Sequence, residues 1–302
     1  MEKIILTGAS GFLGKNILIK ISKAFKNSKI FAIHNKSKIT YKAKNIFPLK
    51  VNLLNKNNYS AFPDSYNTLI HLAGQKNTFL DKKSGEIQLF ENIKITQLLA
   101  ENAAKSNCKN IIFASSVYIY SGTEGTPFKE KIINIPNEHL GLSKFISEGI
   151  FKAGSINNLY STISLRIFTT YGSDLGSPQF LNKAYSRIKE SRFSTTFSNP
   201  NILRDFIHIE DVSESFLRAL IHIQKKETGY FNSINIATGK SLSIKDVTLT
   251  IKKILNCDIK INFIDQERFK NDQDHIANIE KLKNLFHWNP RIEIYEGIKL
   301  IK

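Results

Sequence analysis

Along the first half of the chain, short runs rich in β-branched residues alternate with longer stretches whose apolar positions recur every three or four residues. The runs are KIILTG, KIFAIH, NIFPLK, NTLIHLAG, NIIFASS and STISLRIF. Between the fourth and fifth, GEIQLFENIKITQLLAENAAKS puts Ile87, Phe90, Ile93, Leu98 and Leu99 near helical spacing. NEHLGLSKFISEGIF, after a loop carrying Pro127 and Pro136, reads as a second long helix. Strand, helix, strand units of this kind predict an α/β fold with a parallel, doubly wound sheet.

Beyond Arg166 the rhythm breaks. TTYGSDLGSPQF is rich in turn formers, and shorter elements follow without regular alternation. The expected organisation is a first unit over residues 1–166 and a smaller one over 167–302, with residues 203–236 returning to the first because VSESFLRALIHIQ has helical periodicity. No internal repeat, low-complexity tract or long linker interrupts this.

Composition narrows the classes. In a chain of 302 residues, 41% hydrophobic and 23% charged, a large core can form, and collagen-like or disordered classes are excluded. No apolar run reaches the roughly 18 residues that span a bilayer, and MEKIILTGAS lacks the basic and long apolar regions of a signal peptide, so a cytoplasmic protein without a membrane partner is expected. Cys108 and Cys257 lie in unrelated segments, which argues against a disulfide framework or a metal site. The net charge of +17 comes from lysines scattered beside abundant Asn and Ile, not from a basic stripe interleaved with aromatics, and a nucleic-acid partner is not expected.

Candidate chemistry begins in ILTGASGFLGKNILIKI, where Gly8, Gly11 and Gly14 follow a strand and open a helix. Glycines there permit a tight turn and close backbone approach, while the helix N-terminus offers unpaired N–H groups to a pyrophosphate. A dinucleotide site is the reading, against a plain tight turn.

This Gly-x-x-Gly-x-x-Gly spacing, with HLAG at residues 71–74, resembles the extended short-chain dehydrogenase/reductase family of nucleotide-sugar epimerases, dehydratases and reductases. Further matches follow in order: ENIKITQLL with Asn92 and Thr96, ASSVYIYSG, GLSK, LRIFTTYG, RDFIHIEDV, FNSINIATGKSLSIKDV and NLFHWNPRIEIYEGI. The resemblance spans nearly the whole chain. It implies an N-terminal Rossmann domain, a smaller C-terminal domain that binds the nucleotide sugar, and a homodimer formed through the two long helices. It also implies that Ser10, Phe12, Leu13, Leu53, Leu72, Ala73 and Gly74 join the three glycines around the cofactor.

The second strand ends at AIHNKSK. A carboxylate there would bind the ribose hydroxyls of NAD, whereas this chain has His34, Asn35, Lys36 and Lys38, which leave room for the 2′-phosphate of NADP. NADP is therefore expected, with Lys36 its phosphate partner and NAD the alternative. Asn52 stands where the family usually has Asp near the adenine.

In the family, a Ser or Thr after the fifth strand and a Tyr four residues before a Lys form the reacting group. Here Lys144 is in place, and aligning Ile119, Tyr120 and Ser121 with the family's Val-Tyr-Gly puts Ser116 at the catalytic position; Leu140 stands where the Tyr would be. Leucine exchanges no proton, so Ser116, Tyr118, His139 or a water must protonate the sugar oxygen, or the protein binds without turning over. Dehydratases of the family carry an acidic pair directly after the catalytic residue, and Val117 and Tyr118 argue against that reaction. The expected reaction is an NADP-dependent 4-ketoreduction of a nucleotide sugar, with epimerisation as the alternative. Arg204 matches the family's phosphate-binding arginine, its other reading being an ion pair with Asp205 or Glu210. Gln75, Phe168, Thr169 and Phe180 are candidate substrate contacts, although the two phenylalanines also suit a core.

Overall fold

The computed structural model describes residues 1–74, 82–131, 134–172, 179–265 and 273–301, with only the backbone for Lys82. Its first half follows the alternation read from sequence: β1 (Lys3–Thr7), α1 (Phe12–Ala24), β2 (Lys29–His34), β3 (Ile46–Lys50), β4 (Thr68–His71), α2 (Lys82–Lys105), β5 (Asn110–Ser116), α3 (His139–Ile156) and β6 (Ser161–Ile167). A 3-10 turn, Val117–Tyr120, follows β5 directly. Then come β7 (Thr169–Tyr171), α4 (Phe180–Glu190), β8 (Ser194–Ser198), β9 (Leu203–His208), α5 (Ile209–Ile223), β10 (Phe231–Ile236), β11 (Ser241–Ser243), α6 (Ile244–Leu255), β12 (Lys260–Ile264), α7 (Glu280–Phe286) and α8 (Ile294–Lys299).

Seven strands form one parallel sheet in the order β10-β6-β5-β4-β1-β2-β3. Helices cover both faces, and so β4 and β6 are buried at every position and read as unbroken runs instead of alternating ones. On one face α1 and α5 pack together, Ile17, Leu18 and Ile21 sharing a core with Val212, Phe216 and Leu220. On the other face α2 packs on α3, and Leu98, Leu99 and Phe151 close a second core.

The return of the later chain to this sheet runs through α5 and β10, since β9 instead centres a three-stranded sheet, β11-β9-β7. That sheet, the β12-β8 pair and helices α4, α6 and α8 enclose a separate core of Tyr171, Leu181, Ile188, Phe206, Val247 and Ile298. Among the described residues no helix is long and apolar enough to cross a membrane, and no cluster of three metal-ligating side chains occurs.

Candidate active site

The strand register sets the frame. Thr7 pairs with His71 and His71 with Phe113, so Gly8, Leu72 and Ala114 all stand one step past the same level at the carboxyl ends of neighbouring strands. Adjacent strands lie about 4.8 Å apart, which separates the glycine turn from the end of β5 by roughly 10 Å.

Gly8 has φ of +69°, a left-handed conformation that favours glycine, and a Cβ there would come within 2.8 Å of the Ala73 backbone nitrogen. A Cβ on Gly14 would run into the Gly8 carbonyl. The turn is closed by Gly11 N–H donating to the Gly8 carbonyl at 3.0 Å. Helix α1 starts with no side-chain cap and no acid in its first turn, and its amide dipole therefore favours an anion at the open end. Because Gly8, Gly11 and Gly14 carry no side chains, the cradle admits a pyrophosphate against their backbone, and it fits a dinucleotide.

Beneath it, hydroxyls and an imidazole fix the HLAG turn. Thr7 Oγ1 accepts the N–H groups of Leu72 and Ala73, each at 3.2 Å, and lies 2.9 Å from His71 Nδ1. With both lone pairs used, Thr7 donates its proton to Nδ1, and the His71 proton resides on Nε2, facing Thr96 Oγ1 at 3.5 Å. Thr96 donates to the Asn92 carbonyl at 3.0 Å and lies 2.9 Å from Ser147 Oγ on α3. Burial, and then the positive charge of Lys144, push His71 down to about 3, so it remains neutral at ordinary pH. Asn92 links the same helices by donating to Ser143 Oγ at 3.3 Å, and its Oδ1 lies 3.0 Å from where a Gly74 Cβ would stand.

Lys144 on α3 donates to the Ala114 carbonyl at 2.8 Å, its Nζ 4.8 Å from the centre of the Phe113 ring. Ser116 ends β5, and its Oγ caps the following turn by accepting Tyr118 N–H at 3.4 Å. Leu140, one helical turn before Lys144, is 2% exposed. Helix α3 is capped by the Glu138 carboxylate, which accepts from the Leu140 and Gly141 amides; burial raises this carboxyl above its ordinary range. His139 turns to α2, its imidazole so close over Gly85 that a Cβ there would strike Nδ1.

The second region meets the turn after β5 through His275 and Gln273, whose Nε2 donates to the Tyr120 carbonyl at 2.8 Å. Arg204 Nη1 donates to the Leu203 carbonyl at 3.0 Å and the Gln273 carbonyl at 2.8 Å. The alternative partners turn elsewhere: Asp205 accepts from Thr238 and Gly239, and Glu210 lies 3.9 Å from Lys20. Tyr118 is half-buried, with its ring perpendicular to that of His275 at a centroid distance of 5.5 Å. His275 is 4% exposed, and its Nδ1 is buried with no partner among the described residues. Burial and the Arg204 charge hold this imidazole well below its usual range.

Phe168 takes the second of its two readings: it is buried in the large-sheet core beside Tyr120. Phe180 is partly buried against Phe197 and Phe206, and Thr169 is half-buried at the start of β7. At the end of β2, Asn35, Lys36 and Lys38 are exposed, while His34 Nδ1 is buried without a partner among the described residues. Asn52 Oδ1 accepts Leu54 N–H at 3.1 Å, and Leu53 is buried. Gln75 lies outside the described residues.

Two features escaped the sequence reading. His275 sits in DQDHIAN, which carries no local pattern. Arg166 and Glu148 form a buried bidentate pair, Nε to Oε1 at 3.0 Å and Nη2 to Oε2 at 2.7 Å, which ties α3 to β6 one turn past Lys144. The signal for the pair was an arginine inside the apolar run STISLRIF.

Three comparisons bear on this arrangement. The family described as NAD dependent epimerase/dehydratase matches residues 4–237. A dTDP-4-dehydro-6-deoxyglucose reductase from Escherichia coli is 31% identical over 245 residues, covering 78% of this chain and 74% of the relative. Among solved structures, the UDP-Glc/GlcNAc 4-epimerase from Campylobacter jejuni superposes with a TM-score of 0.85 at 22% identity, covering 99% of this chain and 97% of the other. MoeE5 in complex with UDP-glucuronic acid and NAD gives a TM-score of 0.83 at 19% identity, with 99% and 97% covered.

Proposed function

Because this chain belongs to the NAD-dependent epimerase/dehydratase family, we propose that it reduces a ketone on the sugar of a nucleotide sugar, as a 4-ketoreductase that uses NADP. The observation that carries the reading is the seat of Lys144, whose amine is held on the Ala114 carbonyl two residues before Ser116, at the level of the glycine turn two strands away. When bound, a reduced nicotinamide dinucleotide supplies the hydride. Lys144 then presents a positive charge to the nicotinamide ribose, and Ser116 offers its hydroxyl to the sugar oxygen.

Arg204 brings a guanidinium to the diphosphate, a planar donor set suited to phosphate oxygens. At the end of β2, exposed Lys36 and the lack of a carboxylate favour a 2′-phosphate, and this supports NADP over the NAD present in related structures. The 31% identical relative is itself named a reductase, and Val117 is buried where a dehydratase would need an acid, which further supports reduction. Ile87 and Phe90 on α2 are 51% and 66% exposed, an apolar face that supports pairing of two copies through α2 and α3.

A second reading, epimerisation at the same carbon, is favoured by the names of several relatives, including UDP-glucose 4-epimerase 4 of Oryza sativa subsp. japonica. Incubation with NADPH and a panel of 4-keto sugar nucleotides separates the two. Loss of reduced-nicotinamide absorbance is expected. Isomerisation without net oxidation would replace the ketoreductase reading by the second, and tight binding with neither would leave a noncatalytic binding protein.

A further inference from the structure

We propose that Tyr118, its ring braced edge-on by His275, delivers the proton in this site, so that the acid comes from the turn after β5 and not from α3. This assignment rests on the ketoreductase reading. Three other sources are closed or weaker. Leu140 fills the α3 position with carbon. His139 is packed over Gly85 of α2. Ser116 is two residues away and suited to hydrogen-bond the sugar oxygen, but an alkyl hydroxyl is a far weaker acid than a phenol.

The turn leaves Tyr118 half-buried, its ring packed against the edge of the large core and against His275. Val117, Ile119 and Tyr120 are all buried in the large core, and Tyr118 is the residue of this turn left half-buried. With about three residues per turn, Val117 and Tyr120 share the inward face and Tyr118 falls between. Its carbonyl lies directly against Gly141, where a Cβ could not fit, so the phenol is carried on backbone that touches the first turn of the Lys144 helix.

The brace is fixed from the other side. His275 N–H donates to the Leu203 carbonyl at 2.9 Å and its carbonyl accepts Asp205 N–H at 3.0 Å, and these bonds add the residue as a short parallel bridge on β9. A side chain with two free torsions is thereby held by a ring on rigid backbone. Tyr118 is the catalytic residue of this proposal and His275 a positioning residue.

The step balances as follows. The carbonyl carbon gains a hydride from a reduced nicotinamide dinucleotide, the C=O π pair moves to oxygen, and that oxygen takes the Tyr118 Oη proton. The O–H bonding pair stays on Tyr118 as phenolate, and water restores the proton.

The test uses protein labelled with 13C at tyrosine Cζ and UDP-glucose as the probe. One of the ten tyrosine signals, identified by its loss in Tyr118→Phe, is expected to shift when UDP-glucose binds. His275→Phe, which keeps a flat ring, should leave that signal near its original position, and His275→Ala should displace or broaden it. With a 4-keto sugar nucleotide, Tyr118→Phe should lower kcat by about 10²–10⁴ while KM and NADPH affinity change little. Calorimetric binding of UDP-glucose with an unmoved Tyr118 signal, or wild-type kcat in Tyr118→Phe, would overturn the proposal. Absence of heat with both UDP-glucose and dTDP-glucose would instead remove the ketoreductase reading beneath it.

Discussion

On the glycine-turn side of the cleft, the hydroxyl and imidazole groups from Thr7 through His71 and Thr96 to Ser147 are joined in one hydrogen-bonded series, whereas in the smaller region His275 Nδ1, His208 Nε2 and the Tyr171 hydroxyl are buried with no partner among the described residues. A buried polar atom left unpaired costs about 1–3 kcal/mol, so the linked series specifies its turn more firmly than these unpaired groups specify theirs. The Thr7–Ser147 series is complete before any ligand arrives, although His34 Nδ1, Ser115 Oγ and Ser164 Oγ of the same region are also buried with no partner among the described residues. In the smaller region the unpaired atoms sit on three buried rings, Tyr171, His208 and His275.

Acid should strain the contrast most. The unfolded chain protonates His71 below about 6.5, but the folded chain does so only near 3, so stability is full above the first value and falls as pH drops toward the second, by about 4–5 kcal/mol. His208 and His275 are lowered too and act in the same sense. Asp205, raised to about 6 by burial, has the opposite sign: its contribution is present below about 3.8 and lost as pH rises through 6. Glu138 and Asp211, raised by burial, act with Asp205; the His71 shift exceeds that of Asp205, and urea midpoints at pH 7 and pH 4 should show a net loss toward acid.

Next in size is Glu148→Ala, which strands the Arg166 guanidinium in the core and should cost about 3–5 kcal/mol in a denaturation curve. Thr7→Val orphans the Leu72 and Ala73 amides and should cost about 1–3 kcal/mol; His275→Phe on the other wall should cost under about 1 kcal/mol or even stabilise, because it removes a polar atom that has no partner. Equal losses from these two variants would abolish the contrast. In binding rather than stability, Lys36→Ala is expected to weaken NADPH roughly tenfold, about 1.4 kcal/mol, in a fluorescence titration while NADH is unaffected.

The parts legible in sequence were those set by near neighbours. All six strands of the first half, helices α2 and α3 and the glycine turn have local periodicity or spacing, and each appears in the structure. For Phe168 the sequence left a ligand contact and a core position open, and its side chain turns into the core one residue past β6. His275 and the partner of Arg166 could not be read locally, although an arginine inside STISLRIF signalled that a partner exists. Each depends on a contact between segments far apart in the chain, 157 positions for Tyr118 and His275 and 18 for the ion pair. Hydroxyl series such as Thr7, His71 and Thr96 are likewise invisible until three elements meet.

The seat of β10 beside β6 has a consequence for biogenesis. During synthesis the flank of β6 stays bare until Phe231–Ile236 has left the ribosome, after β7, α4, β8 and β9 of the smaller region have already emerged. The two regions are therefore laced together and cannot mature one after the other. A nascent chain stopped just short of Phe231 would expose Ile163, Leu165 and their neighbours along an unpaired margin, a natural target for a chaperone.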